Sequence, residues 1–181
     1  MTVLPRLKSA VVRRAVLAGL LSALGVAISP FLWFPLLASK AYPGQHAINA
    51  VAGVLLGPWW AALVAALTGS IRIALGVGTI YAYPGGIPGA FVVGSVAWLL
   101  RRAGFKRVEL AALTEPIGTV LIGGTLATYL FAPWLGHAKM AGALLVVWAG
   151  WAVSSVPGCF MGFLALEVLR RVGITRETLG I

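Results

Sequence analysis

Charge is what this chain has least of. Only 10% of its residues are Asp, Glu, Lys or Arg, where a soluble domain carries about 25%. Aspartate is absent, and the acids number four in all. With 60% hydrophobic residues and a mean hydropathy of +0.98, the apolar side chains must face lipid rather than water. The single cysteine, Cys159, excludes an internal disulfide, a CxxC redox pair and a thiolate metal site; it is expected to pack as a small apolar residue. The two histidines, His46 and His137, are expected to lack carboxylate neighbours, so no metal site is expected, and no cofactor is expected either. The glycine-rich stretch 76–86 lacks the Gly-Lys-Ser/Thr ending of a phosphate loop, which excludes nucleotide binding there.

What the chain does have is positive charge, +10 net, and long hydrophobic runs. The basic residues form no stripe interleaved with aromatics. They sit at the ends of the runs, where they set orientation and meet anionic lipid heads, so nucleic acid is rejected as a partner. The runs cover 15–37, 46–56, 59–75, 87–100, 110–131 and 140–169. Gly57-Pro58 separates the second from the third. The start, with Arg6, Lys8, Arg13 and Arg14 ahead of an apolar run, resembles a secretory signal. The run is longer than a signal core and is read as a retained first helix.

The expected fold is an all-α integral membrane bundle of six transmembrane helices. It forms a single domain over 1–181, flanked by basic cytoplasmic segments at 1–14 and 170–181, with no ATPase or sizeable extramembrane domain. The positive-inside rule selects six spans. Both termini inside places eleven basic residues in the cytoplasm against Lys40, Arg72 and Lys139 outside, whereas five spans give six against eight. The polar loops 38–46, 76–86 and 132–140 then face outward together, which suggests capture of something from outside.

The densest polar cluster is Lys40, Tyr42, Gln45, His46 and Asn49 at the entrance of the second helix. Polar groups near hydrocarbon are costly and commonly mark a substrate site. Gln45 and Asn49 are four apart and share a helix face. Either they and His46 contact a ligand, or they cap the helix and pin the loop. Arg72 either snorkels to the interface, anchors loop 76–86 or meets the ligand. Tyr81, Tyr83, Trp134, His137, Trp148 and Trp151 either stack on a flat ligand or form an interfacial belt. The glycines of 76–86 suit irregular backbone lining a pocket. Pro157-Gly158, after Ser154 and Ser155, is expected to kink the last helix. Glu115 is placed near the inner end of the fifth helix, capping it or pairing with an inner arginine, and is not expected to touch substrate. On the first helix Ala15, Gly19, Ala23 and Ala27 recur every four residues. Such a face lets backbones approach closely, either within the bundle or against a partner subunit.

The strings Lys40-Ala-Tyr-Pro-Gly-Gln-His-Ala-Ile-Asn49, Leu56-Gly-Pro-Trp-Trp60, Ser70-Ile-Arg72, Leu75-Gly-Val-Gly78, Tyr83-Pro-Gly85 and Glu115-Pro-Ile-Gly-Thr119 resemble the ThiW family over about 15–170. The chain departs from that pattern at Ile73, where an asparagine tends to follow the arginine. The resemblance implies a multi-pass protein of the prokaryotic plasma membrane, the substrate-binding S component of an energy-coupling factor transporter. It implies uptake of hydroxyethylthiazole, the thiazole precursor of thiamine, with a T component and two cytoplasmic ATPases as partners; thiamine or another small vitamin precursor is the alternative substrate. The same resemblance assigns the small face of the first helix to the T component. It puts the ligand near the outer surface, under the first loop. Two other classes are weighed beside it: an intramembrane enzyme with His46 as base and Ser70 or Ser154 as nucleophile, and a self-contained channel or carrier.

Overall fold

The computed structural model describes residues 3–36 and 39–181. The chain forms α1 (Val3–Ile28), a hairpin of β1 (Phe34–Leu36) and β2 (Ser39–Ala41), then α2 (Pro43–Leu56), α3 (Pro58–Ala74) and α4 (Ala82–Arg102). A continuous helical segment, α5 (Val108–Trp134), is followed by α6 (Leu144–Arg171) and a short α7 (Arg176–Leu179). In the antiparallel hairpin Phe34 faces Ala41 and Leu36 faces Ser39.

The sequence sets most of the helix ends. Ser29 precedes Pro30 and is steered out of helical geometry; its hydroxyl donates to the carbonyl of Val26 at 2.8 Å, closing α1 there. The first helix therefore stops well short of the expected run to 37, and Phe34 pairs in the hairpin instead. Leu37 lies outside the described residues, as do the side chains of Arg6, Lys8 and Lys40. Gly57 links α2 to α3 at φ 88°, a conformation that favours glycine, and Pro58 opens α3 where its missing N–H costs nothing. The fourth helix starts at Ala82, so Tyr83 to Gly86 are helical rather than irregular loop. Pro84 is tolerated because first-turn N–H groups have no partner within the helix. The last helix runs on through Pro157 and Gly158.

α2 is the central element. Every residue in it except Ala47 is buried, against α6, α4, α3 and α1. The outside of the bundle is apolar: Leu20, Trp59, Leu130, Leu145 and Val168 are all exposed. Four helical stretches are long and apolar enough to cross a membrane: Ser9–Ile28, Ala82–Arg102, Val108–Trp134 and Leu144–Arg171. α2 and α3, with 14 and 17 residues, reach only about 21 and 26 Å at 1.5 Å per residue.

The two ends of the bundle differ in chemistry. At one end the α2–α3 turn, the end of α4, the start of α5, the end of α6 and α7 come together. There Arg13 donates to the carbonyl of Leu179, Arg101 to that of Val54, and Arg107 and Arg170 pair with Glu109 and Glu167. At the other end lie the hairpin, loop 75–81 and loop 135–143.

Candidate functional site

A cavity of about 680 Å³ opens beneath the hairpin at the end away from the basic cluster. That size is within the range of small-molecule sites. Its wall combines the N-terminal turn of α2, the C-terminal end of α3 with the loop after it, the first turns of α4, Thr119 of α5 and the first half of α6.

Glu115 organises the floor of this site. Its carboxylate is fully buried and accepts four hydrogen bonds. His46 Nδ1 lies 2.9 Å from Oε1, Asn49 Nδ2 at 3.1 Å and Thr119 Oγ1 at 2.6 Å, while Ser155 donates to Oε2. A buried carboxylate needs such pairing. The pairing also fixes the imidazole: Nδ1–H donates to the carboxylate, and Nε2, with no partner among the described residues, is left for the cavity that His46 lines. The placement of Glu115 near the inner end, away from the site, is thus corrected. So is the statement that His46 lacks a carboxylate neighbour.

The expected face of Gln45 and Asn49 forms as a hydrogen-bonded pair, Gln45 Nε2 donating to Asn49 Oδ1 at 3.1 Å. Asn49 is fully buried and also donates to the Gly86 carbonyl at 3.2 Å, tying α2 to α4. Arg72 does not snorkel outward. It is only 3% exposed, lines the cavity, donates from Nη1 to Gln45 Oε1 at 3.3 Å, and lies 3.9 Å over the Tyr42 ring. Tyr42 is held in turn: its N–H donates to Ser154 Oγ and its hydroxyl to the Val77 carbonyl, each at 2.9 Å.

The aromatic residues separate by position. Trp151 lines the cavity, its ring against the Gly85 turn of α4, where a Cβ would sit 3.5 Å away. Trp148, one turn earlier, faces α5 and donates from Nε1 to Thr125 Oγ1 at 3.3 Å. Tyr83 turns to α3, its hydroxyl 3.0 Å from Ser70 Oγ. Trp134 is 75% exposed beyond the cavity. His137 meets Tyr81, a lining residue, at 2.7 Å across the two loops. Desolvation raises the Tyr81 phenol above its usual range. Neither Ser70 nor Ser154 is hydrogen-bonded to His46. Sequence reasoning missed Glu115, Thr119 and Ser155 as parts of this site. The signal that could have found the first is its rarity as an acid in an apolar span.

Close packing at glycines makes room for the network. A Cβ at Gly89 of α4 would collide with Glu115 Oε1 and Thr119 Oγ1, and one at Gly158 of α6 would sit 2.6 Å from His46 Cβ. On α1, Ala15, Gly19, Ala23 and Ala27 are all exposed, and nothing lies within 4 Å of a Cβ built at Gly19. Ala18, Leu21, Ser22 and Gly25 turn inward instead.

Comparison with known proteins gives one family match: the profile of the family described as thiamine-precursor transporter protein (ThiW) covers residues 15–172. No curated protein and no solved structure matches.

Proposed function

Because the chain belongs to the ThiW family of thiamine-precursor transporter proteins, we propose that it is the substrate-binding membrane subunit of an energy-coupling factor importer. It captures hydroxyethylthiazole from outside and delivers it together with a T component and two ATPases. The carrying observation, beside the family, is the cavity under the hairpin, where Gln45, His46, Arg72 and Trp151 share one mostly apolar wall. Such a wall suits a small aromatic ligand held by a few placed polar groups. His46 Nε2 and Gln45 recognise the polar substituents, and Trp151 stacks on the ring. Asn49 holds Gln45 in place. His137 and Tyr81 close the mouth. Tyr83, Trp134 and Trp148 support the surrounding helices from outside the lining.

In this reading all six long helices cross the plasma membrane, with both termini cytoplasmic. The concentration of arginines at the end opposite the cavity supports that orientation. The shortness of α2 fits a helix shielded from lipid by its neighbours. The exposed small-residue face of α1 is the T-component contact, since it packs against nothing in the bundle.

The test is a titration of hydroxyethylthiazole into the detergent-purified chain, followed by tryptophan fluorescence, with thiamine in parallel. Saturable quenching by the thiazole alone supports the assignment. No response at millimolar thiazole, from protein shown to be folded, overturns it. Co-purification with T component and ATPases tests the partners.

A further inference from the structure

Arg72 is a buried cation without a counter-ion. It is 3% exposed on the cavity wall, and buried charges are ordinarily paired. The whole chain has four acids, and each is engaged elsewhere. Glu115 serves His46, Asn49, Thr119 and Ser155; Glu109 and Glu167 serve Arg107, Arg170 and Arg171; Glu177 lies in α7 at the far end. The guanidinium has five N–H donors. One reaches Gln45, and Nε has no partner although it is buried. The Tyr42 ring lies beneath the guanidinium and adds a cation–π contact. Two neutral amides, Gln45 and Asn49, stand between Arg72 and the Glu115 carboxylate, so the two charges do not touch.

We propose that Arg72 is an anion-reading residue, and that this cavity also takes, and prefers, thiazoles whose side arm ends in a carboxylate or phosphate monoester, the anion docking on its guanidinium. The inference rests on the reading of the cavity as the ligand site. The planar fork of arginine matches both groups, and a low-dielectric wall strengthens the contact. Tyr42 holds the guanidinium flat, and Gln45 fixes one edge, which leaves the remaining donors for the ligand.

The experiment compares three probes on the purified full chain by calorimetry: hydroxyethylthiazole, its phosphate ester, and the thiazole-acetate made by oxidising its hydroxyethyl arm. At least one anion is expected to bind about tenfold or more tightly than the neutral alcohol, as one charge-assisted contact gives. Arg72→Gln, checked by thermal unfolding, should abolish that preference, so that neither anion binds this variant more tightly than the alcohol does. If Arg72→Gln fails to fold, the wild-type ranking decides, with Arg72→Lys as the second variant, expected to bind the anions more weakly than wild type. Tight binding of the alcohol with no gain for either anion overturns this inference and leaves the proposed function standing. An anion preference that survives Arg72→Gln also overturns it. Failure of all three probes to bind folded protein overturns both.

Discussion

Glu115 joins four side chains from α2, α5 and α6, and its replacement has a calculable cost. Glu115→Gln keeps the shape but turns a donor toward a cluster of donors. One or two of the four bonds are lost, at about 1–3 kcal/mol for an unsatisfied buried group. The variant is expected to unfold at lower temperature in detergent and to bind ligand weakly, because His46 is no longer fixed in one tautomer. The two neighbouring tryptophans should part company. Trp151→Ala is expected to lose ligand binding with a modest change in stability. Trp148→Ala is expected to lose stability, about 1–3 kcal/mol for a half-buried aromatic that packs on α5, while binding persists; thermal unfolding and titration of both variants check this. From sequence, Gln45, His46 and Asn49 were legible as a cluster, being polar residues concentrated at one helix entrance. Glu115 was not. Counted at the rise of an ordinary helix, it lies near the inner end of α5. The first seven residues of α5 are wound as a 3₁₀-helix, whose rise of about 2 Å per residue lifts Glu115 some 14 Å from its start. His46 lies ten residues before the end of α2, a comparable height of about 15 Å.

At the level of elements, glycine decides how near α4 can come to α5. Gly89→Ala would drive a methyl group into the side chains of Glu115 and Thr119, which their shared hydrogen bonds hold in place. The expected cost is about 1–3 kcal/mol of stability. Ligand affinity should fall as well, since the displaced carboxylate carries His46; thermal unfolding and calorimetry read the two effects separately. α5 is irregular along its length, with wide π-type turns at Ile117–Gly123 and Ala127–Phe131. Such turns gather at functional sites, and Thr119, which lines the cavity, lies in the first of them. Hydrophobic runs announced the helices because apolar length is written directly in composition. Their ends were less legible. The run to 37 hid a hairpin, since Phe34 and Leu36 are as apolar as a helix would need. The helical turn at Tyr83 to Gly86 is hidden in the sequence because Pro-Gly-Gly signals a turn wherever no neighbouring helix asks for close approach.

Over the whole molecule, an apolar exterior, one basic end and one cavity end define a bundle with a direction. The small-residue face of α1 lies on its outside. Gly19→Leu is expected to leave unfolding temperature and ligand affinity within error of wild type, as exposed substitutions change stability by about 0.5 kcal/mol or less. If this face docks the T component as proposed, the variant should nonetheless reduce recovery of the T component and ATPases in co-purification, and uptake in cells with it. The membrane class was readable from the scarcity of charge and the long apolar runs, because both are one-dimensional properties. The depth at which α2 and α5 meet was not, since it depends on winding. One tryptophan among the described cavity-lining residues also has an optical consequence. The chain has seven tryptophans, and only Trp151 borders the cavity. If all seven emit equally, complete extinction of Trp151 dims the protein by about one seventh. A small, saturable dip is therefore the full signal of an occupied site. In Trp151→Phe it should vanish, while the six remaining emitters supply an internal brightness standard.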